Sequence, residues 1–234
     1  MQVISNEKKI KFNKRVGQYT SFISLLVLGG GMYISIAHQD LYYYSFAALV
    51  VGFVLSQVGI YYGNRWGRKP TIDERITTAL KGLTHDHTLY HYTGPVSHLL
   101  VGPSGIWILE PYYQKSTIEY SGGRFRQKGG GFLLGYLKIF AQEGLVRPEL
   151  EIRADVSAMY KWLQDNGIEI ESPDLINVAL AFFDPNVTLI PNDCPYPMVT
   201  MDHLKSAIRQ NKLNIAPANV IGKIKQALPS EPVA

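Results

Sequence analysis

Val96-Ser97-His98-Leu99-Leu100-Val101-Gly102-Pro103-Ser104-Gly105-Ile106-Trp107-Ile108-Leu109-Glu110 is the stretch whose reading decides the fold. Apolar residues run up to a Gly-Pro-Ser-Gly turn and then resume, the pattern of a hairpin of two buried strands. The second strand is expected to end on Glu110. A carboxylate closing a buried strand needs a reason, because buried charge is costly unless something pairs with it.

Upstream of the hairpin, Thr71-Ile72-Asp73-Glu74 is a capping box that opens a helix over 75–83. Ile72, Ile76, Leu80 and Leu83 form its apolar stripe. His85, His87 and His91 follow, without a carboxylate at metal-ligand spacing, so they read as solvated side chains around a loop and a strand of residues 88–92. Downstream, strands over 117–120 and 124–127 flank Ser121-Gly122-Gly123, and Arg124, Arg126 and Lys128 give the second arm a basic patch, the candidate local contact for nucleic acid. Lys128 to Gly131 lacks the Gly-Lys-Ser/Thr end of a phosphate loop and reads as a connection. Residues 132–142 read as a core helix or as one lying on a bilayer. Pro148 opens a helix with Glu149 and Glu151 at the positive end of its dipole. A fully buried strand is expected over 176–183, strands over 187–190 and 199–201, and helices over 204–210 and 218–228. The class is α/β: a mixed sheet flanked by helices.

The amino-terminal part has a different composition. Tyr19 to Ala37 and Leu41 to Gly63 are uncharged runs, and 19 residues of helix span about 28 Å, close to the hydrocarbon thickness of a bilayer. A transmembrane hairpin over 19–63 is expected, after a basic segment over 1–18 and before a soluble domain over 64–234 with its core at about 71–211. Lys8, Lys9, Lys11, Lys14 and Arg15 precede the first run, and Arg65, Arg68 and Lys69 follow the second, so the positive-inside rule puts both ends and the domain in the cytoplasm, at the inner membrane of a cell. The competing reading is a signal peptide cleaved after Ser35-Ile36-Ala37. Small residues at spacings of three and four, among them Ser45, Gly52, Ser56 and Gly59, let the two helices pack closely on each other or on a second copy. Residues 64–234 hold 18 basic and 17 acidic groups, so the soluble part has no overall nucleic-acid-binding charge. The lone Cys194 excludes an internal disulfide and reads as a loop thiol.

Glu74-Arg75 in the opening helix, His98 to Gly105, the Glu110 strand end and Pro148 together resemble the nuclease-related domain (NERD) family of the PD-(D/E)XK nuclease superfamily. The likeness covers about 74–165 and, more loosely, 176–210. It implies a core of a helix, a mostly antiparallel strand set, a helix and a further strand. It also implies two carboxylates around Mg²⁺ or Mn²⁺ and a lysine that activates water, with metal and carboxylates acting on a phosphodiester. In that frame Ser97 stands where the family has its aspartate, Glu110 is the second carboxylate and possible metal ligand, and Tyr112 stands where the lysine belongs. Lys115 lies three residues further on, and Glu151 replaces the family's glutamine. Pro111 is expected to disturb the strand end.

Two functions follow from the resemblance. The first is a membrane-anchored domain that has lost its catalytic set, needs no cofactor and binds or scaffolds, with the bilayer, nucleic acid, a protein or a second copy as partner. The alternative is an active Mg²⁺- or Mn²⁺-dependent nuclease in which Glu74, Glu110 and Glu151 converge as migrated ligands. Glu110 also has a plain reading, as a carboxylate reaching solvent or a neighbour such as Lys115 or Arg124, and His98 reads as a packed strand histidine.

Overall fold

The computed structural model describes residues 1–129, 147–210 and 214–233. The chain opens with strand β1 (Gln2–Ser5), continues into helices α1 (Glu7–Ala37), α2 (Tyr42–Tyr62) and α3 (Ile72–Ala79), and then forms strands β2 (Thr88–His91), β3 (His98–Gly102), β4 (Gly105–Tyr112), β5 (Thr117–Ser121) and β6 (Arg124–Lys128). Helix α4 (Pro148–Asp165), strands β7 (Ile176–Phe182), β8 (Thr188–Ile190) and β9 (Met198–Thr200), and helices α5 (Met201–Gln210) and α6 (Ala218–Ala227) follow. The class is mixed α/β, with two long apolar helices near the amino terminus. The helix expected over 132–142 lies outside the described residues. Two compact units result: residues 8–72, and residues 1–7 with the described residues from 73 onward.

The main sheet has the order β1-β2-β3-β4-β7-β9, and a second sheet has the order β6-β5-β8. Strands β2, β3 and β4 are antiparallel neighbours, while β1 on β2, β4 on β7 and β7 on β9 are parallel. Short turns can reverse a chain, but a parallel pair needs a crossover, which α4 supplies between β4 and β7. The Gly102↔Gly105 pairing leaves only Pro103 and Ser104 at the tip of the opening hairpin. Gly105 has φ 102°, which a side chain would oppose, and a Cβ on Gly102 would meet the His87 ring at 2.6 Å.

Period-two alternation divides the core between the two faces of this sheet. Leu99, Val101, Ile106, Ile108, Val178 and Leu180 pack with Ile152, Met159 and Leu163 of α4 and with Val220 and Ile224 of α6. The alternate positions Leu100, Trp107, Leu109, Ala179 and Ala181 are buried too, as are Ile72 and Ile76 of α3, Leu80 just after it, and Leu204 and Ile208 of α5. Lys205 Nζ donates to Lys81 O at 3.1 Å and Arg209 Nη2 to Gly82 O at 2.6 Å, tying α5 to the end of α3. Fully burying one such aliphatic side chain is worth about 1.5–3 kcal/mol.

Two details go beyond the expected boundaries. Within the basic segment of residues 1–18, residues 2–5 form a strand: β1 pairs with β2 from Gln2↔Thr88 to Ser5↔His91, and Ile4 is 1% exposed. Strand β4 does not end at Glu110 but runs through Pro111↔Ala181 to Tyr112↔Phe182. Phe183 N donates to Tyr112 O at 2.9 Å, so Tyr112 turns its backbone groups toward β7 and Pro111 turns toward β3. There the last rung is Leu99↔Ile108, and the missing donor of Pro111 costs no ladder bond.

In the unit of residues 8–72, α1 and α2 are long and apolar enough to cross a membrane, and α1 starts twelve residues before the uncharged run at Tyr19. Only 11% of each apolar window is buried within the protein, whereas a core helix would be mostly covered. Leu25 is 71% and Ile36 72% exposed, the surface that a hydrocarbon environment accommodates. The helices meet through small residues. Ser45 Oγ donates to Gly31 O at 2.7 Å, and a Cβ on Gly52 would sit 2.6 Å from Leu28. The small-residue face is thus packed within the chain.

Candidate functional site

The carboxyl end of β4 brings several of the expected site residues together. Glu110 stands on the α4 face of β4, in register with Leu180 of β7, whereas Ser97 lies in the bend before β3, beyond the last β3–β4 rung at Leu99↔Ile108. Tyr112 follows on the same face, 7% exposed, with its ring stacked on Phe182 at 5.4 Å between centroids. Its hydroxyl donates to Glu151 Oε2 of α4 at 3.3 Å. Burial, and then the carboxylates of Glu110, Glu151 and Asp155, push the phenol well above its ordinary range. A neutral phenol is therefore the stable partner of these carboxylates.

The other expected members lie apart. Glu74 is on the exposed side of α3, opposite the buried stripe of Ile72, Ile76 and Leu80. Lys115 is exposed on the connection after β4, where its carbonyl accepts from Gln127 Nε2 at 3.1 Å. Among the described residues no three His, Cys, Asp or Glu side chains are grouped so that they could hold a metal ion. The donor set does not fit the Mg²⁺ or Mn²⁺ centre that the resemblance implies. Under that resemblance Ser97 offers a neutral hydroxyl where a carboxylate is called for and Tyr112 a phenol where a lysine is called for, and among the described residues Glu74, Glu110 and Glu151 do not form a shared ligand set.

Two of the three histidines expected in solvent, His87 and His91, are instead buried, together with His98. His85 is exposed as expected. His91 Nδ1 and His98 Nδ1 lie 2.8 Å apart, and His91 Nε2 is 3.0 Å from Thr77 Oγ1 on α3. In a neutral pair one Nδ1 donates to the other, so the proton choice on His91 decides whether Thr77 donates or accepts. Burial lowers the His91 pKa to about 4. His87 bridges Thr84 Oγ1 at 2.9 Å and Ser104 Oγ at 3.0 Å, joining the turn of the opening hairpin to the loop before β2. These contacts make the histidines structural, as expected of His98 alone.

The basic residues of β6 have further neighbours in space. Ser121↔Arg124 closes the β5–β6 hairpin over Gly122 and Gly123, both with positive φ as a two-residue turn requires. Arg124 and Arg126 then share the exposed face of β6. The exposed Lys128 forms an ion pair with the half-buried Glu119 of β5. Arg147 and Arg153, overlooked in the sequence, join Arg124 and Arg126 with Gly123, Phe125, Glu149 and Leu150 around a cleft of about 510 Å³. Arg147 caps α4 with φ 40° and no side-chain cap bond. A cation at the positive end of a helix dipole, in a left-handed conformation, is a local choice that works against helix stability. Glu149 Oε2 is buried and has no hydrogen-bond partner among the described residues.

Comparison with family models, with curated proteins and with solved structures finds no match for this chain.

Proposed function

We propose that this protein is a membrane-anchored binding or scaffolding module whose α/β unit uses a nuclease-type frame, like that of the nuclease-related domain family, without its catalytic set. The observation that carries the reading is Tyr112. In the place where the resemblance calls for a lysine stands a phenol that is buried, stacked on Phe182 and hydrogen-bonded to Glu151. A side chain so engaged packs the core and has no freedom to orient a water molecule.

The frame is supported by the order of elements. Helix α3, the antiparallel set β2–β3–β4, helix α4 and the parallel strand β7 follow one another as the family's core would. Placement at the cytoplasmic face of an inner membrane is supported by two apolar helices with basic residues only at their outer ends. Pairing of β1 with β2 requires residues 2–5 and 88–91 to be on one side, which two crossings achieve and one does not. Cleavage after Ala37 would take β1 out of the sheet, which argues against a signal peptide.

The test is incubation of the full chain, in lipid nanodiscs, with supercoiled plasmid and with single-stranded RNA in the presence of Mg²⁺ or Mn²⁺. Wild type and Glu110→Ala are expected to leave both substrates equally intact. Cutting by wild type that disappears in Glu110→Ala would overturn the reading and favour an active nuclease.

A further inference from the structure

We propose that the cleft between β6 and the first turn of α4 binds a soluble ligand through two or more linked phosphates, such as inorganic pyrophosphate or the phosphate chain of a nucleotide. Arg124 and Arg126 stand on the β6 wall, and Arg147 and Arg153 on the α4 wall. Among the described residues that line the cleft, four arginines stand with one carboxylate, that of Glu149, while Glu119, across the ladder from Arg126, is paired with Lys128. A guanidinium presents paired N–H donors whose fork matches two phosphate oxygens, so walls of two arginines each suit adjacent phosphoryl groups better than one.

Size and shape favour a small ligand over a nucleic-acid strand. A cleft of about 510 Å³ lies within the range of small-molecule sites, whereas a polymer backbone runs along an open surface. The cationic row along β6 is also interrupted, because Lys128 is paired with Glu119 and does not line the cleft. The first turn of α4 adds the positive end of a helix dipole, which attracts anions. Phe125 and Leu150 give the cleft an apolar wall against which the rest of such a ligand can rest. An anion bridging the two walls also accounts for an arginine at the α4 cap, where the free helix alone gains nothing from it. The site stands independently of whether the frame is a nuclease relative.

The experiment is isothermal titration calorimetry on the full chain in nanodiscs of neutral lipid, with pyrophosphate, with ATP and with thymidine oligonucleotides of two lengths. Pyrophosphate and ATP are expected to bind and to compete with each other. Arg124→Ala or Arg153→Ala alone should weaken both by about 10-fold or more, and the pair should abolish measurable binding. Lys128→Ala should leave affinity unchanged. The arginines are exposed, so an unchanged melting midpoint is expected for each variant and distinguishes a lost site from a lost fold. Absence of binding at millimolar probe, or equal loss in Lys128→Ala, would overturn the proposal. So would oligonucleotide binding that tightens with length and is not displaced by pyrophosphate, which would make the patch a nucleic-acid surface.

Discussion

The two faces of the six-stranded sheet bury polar chemistry of opposite kinds. Under α4, Tyr112 places a phenol among Glu110, Glu151 and Asp155; under α3, His91 and His98 share a hydrogen bond and Thr77 holds the outer nitrogen of His91. Burial acts alike on both, favouring the neutral form, so the phenol pKa rises and that of His91 falls to about 4. The difference lies in which solution condition charges each group: alkali charges the phenol, and acid charges the imidazole. The interior tolerates hydrogen-bonding groups only while they are uncharged. The permanently charged guanidiniums gather instead where the second sheet and α4 leave an open cleft.

Removing one side of the comparison should have the largest effect. Tyr112→Ala takes a 7%-exposed ring from its stack on Phe182 and should cost about 3–5 kcal/mol, read as a fall of roughly 10 °C in the unfolding midpoint of the full chain in detergent. Acid tests the other face. His91 has a folded pKa of about 4 against 6.5 for the free side chain, so the unfolded chain binds the extra proton first and stability is lost as pH falls from about 6.5 toward 4. The full loss is roughly 3 kcal/mol, and His91→Gln should flatten this part of a pH–stability profile. Tyr112 predicts the mirror image, since its raised pKa makes stability fall as pH rises above the free phenol's value of 10.0. The smallest effect belongs to Thr77→Val, which keeps shape but leaves His91 Nε2 without its 3.0 Å partner, a loss of about 1–2 kcal/mol by chemical denaturation.

Patterns confined to a short window were legible in the sequence. The hairpin around Gly102-Pro103-Ser104-Gly105, the second hairpin at Gly122-Gly123 and the Pro148 helix start each depend on neighbouring residues, and each was found within a few positions of its place. What escaped depends on partners far along the chain. Gln2–Ser5 is too short and polar to announce a strand until β2 offers an edge. Pro111 looked disruptive because nothing local says that β3 has already ended beside it. The burial of His91 follows from Thr77 and His98 arriving from two other elements. At the basic patch, Arg124 and Arg126 were visible as strand residues, but Arg147 and Arg153 come from beyond the next connection and join them only in space. Ser97 and Tyr112 were identifiable as departures from the family pattern, yet only the packing against Phe182 and Glu151 gives Tyr112 a purpose of its own.

Strand β1 also bears on how the molecule is made. Gln2–Ser5 leaves the ribosome before both long helices, and its partner Thr88–His91 emerges only after them. The first strand must therefore wait unpaired while the hairpin is placed. A chain that threads only one helix across a bilayer strands the two partners in different compartments, with the β2 edge open for other chains to occupy. In the membrane-anchored arrangement proposed above, completing the sheet therefore requires both helices to have crossed together.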